Sequence, residues 1–207
     1  MLFYRTMRRI SWLLLKVFFR TKVTGREHVP KQGPLVVVAN HDSFLDPFVV
    51  GTSLMKRHVT FLAAPWLHSS RVTSWFVRRV GALQAYGDGS EVASLRASIR
   101  LLQRGDTVGI FPQGGIARDE IYGGAVFIAL KGRAPILPMR ISDAGKALPL
   151  GRWWPSLFTK ITVEIQPPML PAEIRPSSPS TSAAVNKGVE RLMQLLMPAT
   201  TVEASEC

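Results

Sequence analysis

A histidine and a carboxylate stand five residues apart in the stretch Leu35-Val36-Val37-Val38-Ala39-Asn40-His41-Asp42-Ser43-Phe44-Leu45-Asp46-Pro47. A carboxylate on one imidazole nitrogen fixes the tautomer and stabilises the imidazolium, so the other nitrogen can take a proton from a substrate hydroxyl. Whether His41 and Asp46 can meet depends on the elements around them. The β-branched run Leu35 to Ala39, bounded by Gly33-Pro34, predicts a buried strand. A helix is expected from Phe44 to Met55, with Ser43 as its cap and Pro47 in a first turn whose N–H groups are unpaired in any case. On one continuous helix residues 41 and 46 would face apart. With His41 in the preceding loop and Asp46 in the first turn, the carboxylate can reach back to the imidazole. A second reading stays open at this point: Asp46 as the far half of a capping box, and His41 as a loop histidine bonded to backbone.

A second stretch has the same strand-then-loop form. Thr107 to Phe111 predicts a buried strand that runs into Pro112-Gln113-Gly114-Gly115-Ile116-Ala117-Arg118. Paired glycines let backbone N–H groups come close to a ligand, where they can hold an oxyanion or a phosphate. An ordinary strand-end turn is the alternative. Loops of this kind converge on one edge of a parallel sheet.

Further strands are expected at Val59 to Leu62, Ala134 to Ile141 and Ile161 to Ile165. Helices are expected at Ser90 to Arg104, Gly123 to Leu130 and Ala183 to Met197, with Thr21 to Gly33 a connector and Gly87 to Ser90 a turn. This alternation predicts a single α/β domain with a mostly parallel central sheet flanked by helices. Residues 21–175 form the main domain. A Pro/Ser-rich linker at 176–182, the last helix and a disordered tail follow.

The 207 residues carry a net charge of +12, which calls for an anionic partner. The one cysteine, Cys207, leaves no disulfide framework or cysteine metal site and suits a reducing compartment. Residues 1–20 project as a basic amphipathic helix. Arg5, Arg8, Arg9, Lys16 and Arg20 fall in one stripe; Phe3, Met7, Ile10, Leu14, Val17 and Phe18 fall opposite. Its apolar run is too short to span a bilayer, and no cleavage site for a secretory signal is present. The helix is expected to lie in the interface of an anionic membrane, with Trp12 and Phe18 beside cations as anchors. Packing of that face on the domain is the alternative. Trp66, Trp75, Phe76, Arg78 and Arg79 are more readily core and rim than a nucleic-acid surface, so no nucleic-acid partner is expected.

Asn40-His41-x-x-x-x-Asp46-Pro47, then Phe111-Pro112-Gln113-Gly114, then Ala134-Pro135-Ile136-Leu137-Pro138 resemble, in order, the motifs of the glycerolipid acyltransferases, the PlsC-type lysophospholipid acyltransferase family. The resemblance implies acyl transfer from acyl-CoA or acyl carrier protein to a lipid hydroxyl, 1-acyl-glycerol-3-phosphate first among acceptors, at the cytoplasmic face of a membrane. It assigns His41 as general base, Asp46 as its orienting partner, and Gln113, Gly114, Gly115 and Arg118 to the acceptor loop, with no metal or cofactor. Three departures go with it. The family usually has Glu at Gln113 and Thr-Arg at Gly115-Ile116. It also has Gly-x-Ile-x-x-x-Arg where this chain has Gly81-Ala82-Leu83-Gln84-Ala85-Tyr86-Gly87. Arg118, Arg78 and Arg79 are the candidates to replace the two missing arginines. Acylation of a glycolipid, glycosylated isoprenoid or amino-lipid, a catalytically silent membrane-binding protein, and a hydrolase using the same dyad are the other readings. Met55, Trp66, Trp75, Phe76, Trp153 and Trp154 are candidates to line an acyl tunnel, with core packing as their alternative role; Trp153-Trp154, between Arg152 and Pro155, is also a candidate second interface anchor.

Overall fold

The computed structural model describes residues 2–63, 70–80, 82–84, 91–152, 154–175 and 180–197. The expected turn at Gly87 to Ser90, most of the 176–182 linker and the C-terminal tail lie outside these residues, as do Trp66 and Trp153.

The five residues of β2 (Leu35–Ala39) are all buried. Leu35, Val37 and Ala39 face one apolar layer, and Val36 and Val38 face the other. A strand covered on both faces needs an unbroken apolar run, which is why the sequence shows no alternation here. It lies between β5 (Thr107–Ile110) and β6 (Ile136–Ser142), parallel to both. Among the described residues the sheet has seven strands. With β1 (Lys22–Thr24), β3 (Val59–Ala63), β4 (Leu83–Gln84) and β7 (Thr162–Ile165) included, the order is β1-β7-β6-β2-β5-β3-β4. Only the β6–β7 pairing is antiparallel.

Helices cover both faces. On one side lie α1 (Leu2–Phe19) and α2 (Asp46–Ser53). The other layer includes α4 (Glu91–Gln103), α5 (Gly124–Gly132) and α8 (Thr181–Leu196). The short helices α3 (Arg71–Val80), α6 (Ala144–Ala147) and α7 (Pro171–Ile174) complete the set. The connector expected at Thr21 to Gly33 contains strand β1 and a 3-10 turn at Arg26–His28. A three-residue edge strand has too little periodicity to be seen locally; it exists because β7 offers it a parallel ladder.

No described helix is long and apolar enough to cross a membrane. In α1 the inward face is Tyr4, Met7, Arg8, Ser11, Leu15 and Phe19, which are the less exposed positions of the helix. Arg8 is therefore not part of an outward basic stripe. It donates to the Arg57 carbonyl at 2.9 Å and its guanidinium lies over the Tyr4 ring. Phe3 packs edge-on against Trp75. Arg5, Arg9, Trp12, Lys16, Phe18 and Arg20 remain on the exposed side, together with Ile10, Leu13, Leu14 and Val17.

Candidate active site

The carboxyl ends of β2 and β5 carry the two loops that the sequence marks out. His41 Nδ1 lies 3.0 Å from Asp46 Oδ2, so Nε2 is the ring atom turned away from the carboxylate. Asp46 is fully buried. The same oxygen accepts the backbone N–H groups of Asp42 at 2.7 Å and Ser43 at 2.8 Å. The dyad contact is present and the capping box is not: the Asp46 carboxylate that reaches back to Ser43 N–H holds the imidazole, but no side chain caps α2. Ser43 does not cap the helix as expected, because the cap position falls at Leu45. The Ser43 hydroxyl instead donates to the Leu148 carbonyl at 2.9 Å.

Asn40 prolongs the sheet by one residue. Its amide accepts Ile141 N–H at 2.7 Å and donates to Ile141 C=O at 2.8 Å, fixing the point at which the chain leaves β2 for His41. The His41 ring stacks on Phe111, with centroids 4.1 Å apart and planes 20° apart. Phe111 stacks in turn on Phe61 at 5.7 Å. A Cβ at Gly109 would come within 2.6 Å of the Phe61 ring, so the glycine in β5 is what lets that ring cross the strand. Neither aromatic contact has a local signal in the sequence.

The glycine-rich loop closes over the back of His41. Ala117 N–H donates to the His41 carbonyl at 2.7 Å, and Gly114, at φ 65°, makes the turn. Gln113 is 2% exposed, and both ends of its amide are engaged: Oε1 accepts His41 N–H and Nε2 donates to the Arg118 carbonyl. This corrects the expectation that Gln113 touches the acceptor, since its polar atoms are turned onto backbone. It ties the two loops together, since an amide accepts at one end and donates at the other, which an ionised carboxylate does not. Gly114 N–H turns to the Phe111 carbonyl at 3.4 Å, so of the paired glycines Gly115 is the one whose N–H is not used within the loop turn. The Arg118 side chain lies against Gly115, where a Cβ would come 2.8 Å from its Nε. Arg78 bonds Ser74 within α3, and Arg79 lies over Phe3 of α1, so both are engaged away from these loops.

Asp42 adds a second carboxyl. Burial, with Gly145 of α6 packed against it, raises its pKa above 3.8, the ordinary value. The Asn40 hydrogen bond opposes this shift and the charge on Asp46 adds to it. A carboxyl that holds its proton more tightly when folded makes the folded state less stable as pH rises from the ordinary value through the raised one. Asp42→Asn keeps an acceptor for Asn40 without a charge. It is expected to melt above the parent protein at pH 7, with the gain shrinking as pH falls toward 3.8; a thermal-shift series over pH measures this.

A mostly parallel sheet that brings a His–carboxylate pair and a glycine-rich loop to one carboxyl edge defines the class: an α/β protein whose candidate site lies at that edge. The chain belongs to the Acyltransferase family, whose model matches residues 20–142. It is 27% identical over 119 residues to a 1-acyl-sn-glycerol-3-phosphate acyltransferase of Bacillus subtilis (strain 168), covering 56% of this chain and 60% of that protein. It is 29% identical over 141 residues to the chloroplastic 1-acyl-sn-glycerol-3-phosphate acyltransferase BAT2 of Brassica napus, covering 65% and 40%. The chain thus spans between 40% and 60% of the length of these two relatives. The crystal structure of the 1-acyl-sn-glycerophosphate (LPA) acyltransferase PlsC from Thermotoga maritima shares the fold. Its TM-score is 0.68 at 24% identity, over 92% of this chain and 77% of that one.

Proposed function

We propose that the protein is a membrane-surface O-acyltransferase that moves a fatty acyl group from acyl-CoA or acyl carrier protein to a lipid hydroxyl, with 1-acyl-glycerol-3-phosphate the first acceptor to test. The observation that carries this reading is the buried Asp46 carboxylate holding His41 Nδ1 at 3.0 Å on an acyltransferase-family fold. His41 Nε2 takes the proton of the acceptor hydroxyl as its oxygen attacks the thioester carbonyl. A C–O bond forms, the C–S bond breaks, and the imidazolium returns the proton to the departing thiolate. Asp46 keeps Nδ1 protonated and stabilises the imidazolium throughout. The carbonyl oxygen gathers negative charge as the hydroxyl attacks, and Gly115 N–H, with no acceptor among the described residues, is one backbone donor of the loop to meet it.

A cavity of about 100 Å³ lies between α1, α2 and β3, lined by Tyr4, Met7, Phe48, Gly51 and Phe61 among others. The Phe61–Phe111–His41 stack leads to it from the catalytic edge, which makes it the place for the first methylenes of an acyl chain. Of the candidates read from the sequence that the structure describes, Trp75 packs on Phe3 and Met55 borders a different cavity; Trp66, Trp153 and the Phe76 side chain lie outside the described residues. The outward side of α1, apolar beside basic, supports a peripheral position on an anionic membrane.

Arg118 is the cation of the acceptor loop and the replacement for the missing motif arginines. Arg118→Ala is expected to raise the KM for a phosphate-bearing acceptor about tenfold with kcat little changed, the size of loss usual for one charge-assisted contact. Initial rates against a panel of lysophosphatidic acid, lysophosphatidylcholine and a neutral hydroxyl lipid test the reading. Preference for lysophosphatidic acid, lost in Arg118→Ala, supports it. An unchanged preference removes Arg118 from the acceptor site, and a parent enzyme that acylates only the neutral lipid replaces the phosphate acceptor with another class.

A further inference from the structure

The segment joining α6 to β7 exposes large apolar side chains in close succession: Leu150 at 58%, Trp154 at 60%, Leu157 at 49% and Phe158 at 59%. Single exposed apolar residues are ordinary on a protein surface, whereas a contiguous patch marks an interaction. The segment is fastened to the end of α1. Phe158 N–H donates to the Phe18 carbonyl at 2.6 Å, Ile161 N–H to the Phe19 carbonyl at 3.1 Å, and the Arg20 guanidinium lies 5.8 Å from the centre of the Phe158 ring. Phe158 holds φ 66°, a left-handed conformation that bulky residues rarely adopt. On α1, whose Phe18 carbonyl takes the Phe158 hydrogen bond, Leu14, Val17 and Phe18 are also exposed.

Within the two stretches of chain that carry these side chains, the charge has one sign. The chain has no acidic residue before Glu27 and none between Asp143 and Glu164, while Lys16, Arg20, Arg152 and Lys160 rim the apolar side chains. An apolar centre with a cationic rim complements a bilayer with anionic headgroups. A protein partner would have to be acidic around these apolar side chains, which is a narrower requirement than an anionic bilayer meets.

We propose that residues 148–152 and 154–158 form a second membrane-contact segment, which joins the C-terminal half of α1 in one docking surface for an anionic bilayer. The proposal rests on the membrane-surface reading above and extends it to a part of the chain that reading does not require. The segment begins at Leu148, whose carbonyl holds the Ser43 hydroxyl two residues from His41. The surface that enters the lipid is therefore hydrogen-bonded to the loop that carries the base, and its depth sets the height of His41 above the headgroups.

The test uses the full chain with Cys207→Ser and one environment-sensitive fluorophore at a time, on Leu157→Cys, Leu13→Cys or Val92→Cys. Leu13 is 55% exposed on α1, and Val92, 52% exposed on α4, belongs to the layer on the other side of the sheet. Vesicles of phosphatidylglycerol and phosphatidylcholine are expected to blue-shift and brighten the label at 157 and at 13, leaving that at 92 unchanged. A response at 13 without one at 157 overturns the proposal and leaves α1 as the membrane element. No response at either site overturns the membrane reading itself, and an equal response at 92 overturns the proposed surface. In a parallel experiment, the double variant Leu157→Ser/Phe158→Ser is expected to weaken sedimentation with the same vesicles by about tenfold or more. Turnover of a water-soluble short-chain acceptor stays at the parent rate in that variant; parent-like sedimentation contradicts the proposal.

Discussion

His41→Ala lowers kcat for acyl transfer by about 10²–10⁴-fold, the range that a positioned general base supplies, while the acceptor KM and the melting temperature stay near those of the parent. The imidazole is 16% exposed and sits at the end of a strand. Its removal costs the stacking contact with Phe111 and the Nδ1 hydrogen bond to Asp46, while the Asp42 and Ser43 N–H groups still satisfy that carboxylate and the backbone ties from Gln113 and Ala117 to the loop stay in place. Loss of rate without loss of fold is thus the signature of this residue. Initial rates and melting curves of both proteins in the same vesicle preparation give the comparison. A variant that keeps parent-like turnover removes His41 from the chemistry.

Asp46→Asn has a double effect. One carboxylate oxygen receives three donors, His41 Nδ1 and the N–H groups of Asp42 and Ser43, at 2.7 to 3.0 Å in a fully buried position. An amide offers one carbonyl oxygen and presents an NH₂ where the other oxygen stood. It no longer stabilises an imidazolium, and where its NH₂ faces Nδ1 it selects the wrong tautomer. The expected fall in kcat is about 10³-fold or more, or roughly 4 kcal/mol in the barrier. The change also leaves a buried donor underused, at a cost on the order of 1–3 kcal/mol of stability. For a chain of this length that corresponds to a drop of several degrees in Tm. His41→Ala and Asp46→Asn are therefore separated by calorimetry, since both lose activity and only the second melts early. Equal melting temperatures would show that the carboxylate is not the anchor of the loop.

What could be read from the sequence, and what could not, follows from the reach of each interaction. β2 was legible because burial on both faces leaves a continuous apolar run, and the His41–Asp46 contact was legible because a helix start fixes geometry over a few residues. Beyond that distance the signal fails. Nothing near Gln113 announces that its amide spans from one strand-end loop to another, and its motif position suggested ligand contact instead. Ser43 looked like a cap until the Leu148 carbonyl, far along the chain, claimed its hydroxyl. Helical projection of residues 1–20 placed Arg5, Arg9, Lys16 and Arg20 together on one side, as the exposed residues there show. It had no means of finding that Arg8 turns inward to the Arg57 carbonyl, or that Met7 lines a cavity while Leu14 and Val17 stay exposed. Strand β1 exists through its partner alone.

The central claim is that the held imidazole at the end of β2 activates a lipid hydroxyl toward a thioester. The most direct measurement supplies labelled acyl-CoA and lysophosphatidic acid in anionic vesicles to the parent protein and to His41→Ala, and separates labelled diacyl product from free fatty acid. The expected result is diacyl product with the parent, none above background with His41→Ala, and little free fatty acid with either. Free fatty acid as the main product, formed at the same rate with and without the acceptor, would mean that the dyad activates water and would contradict the account.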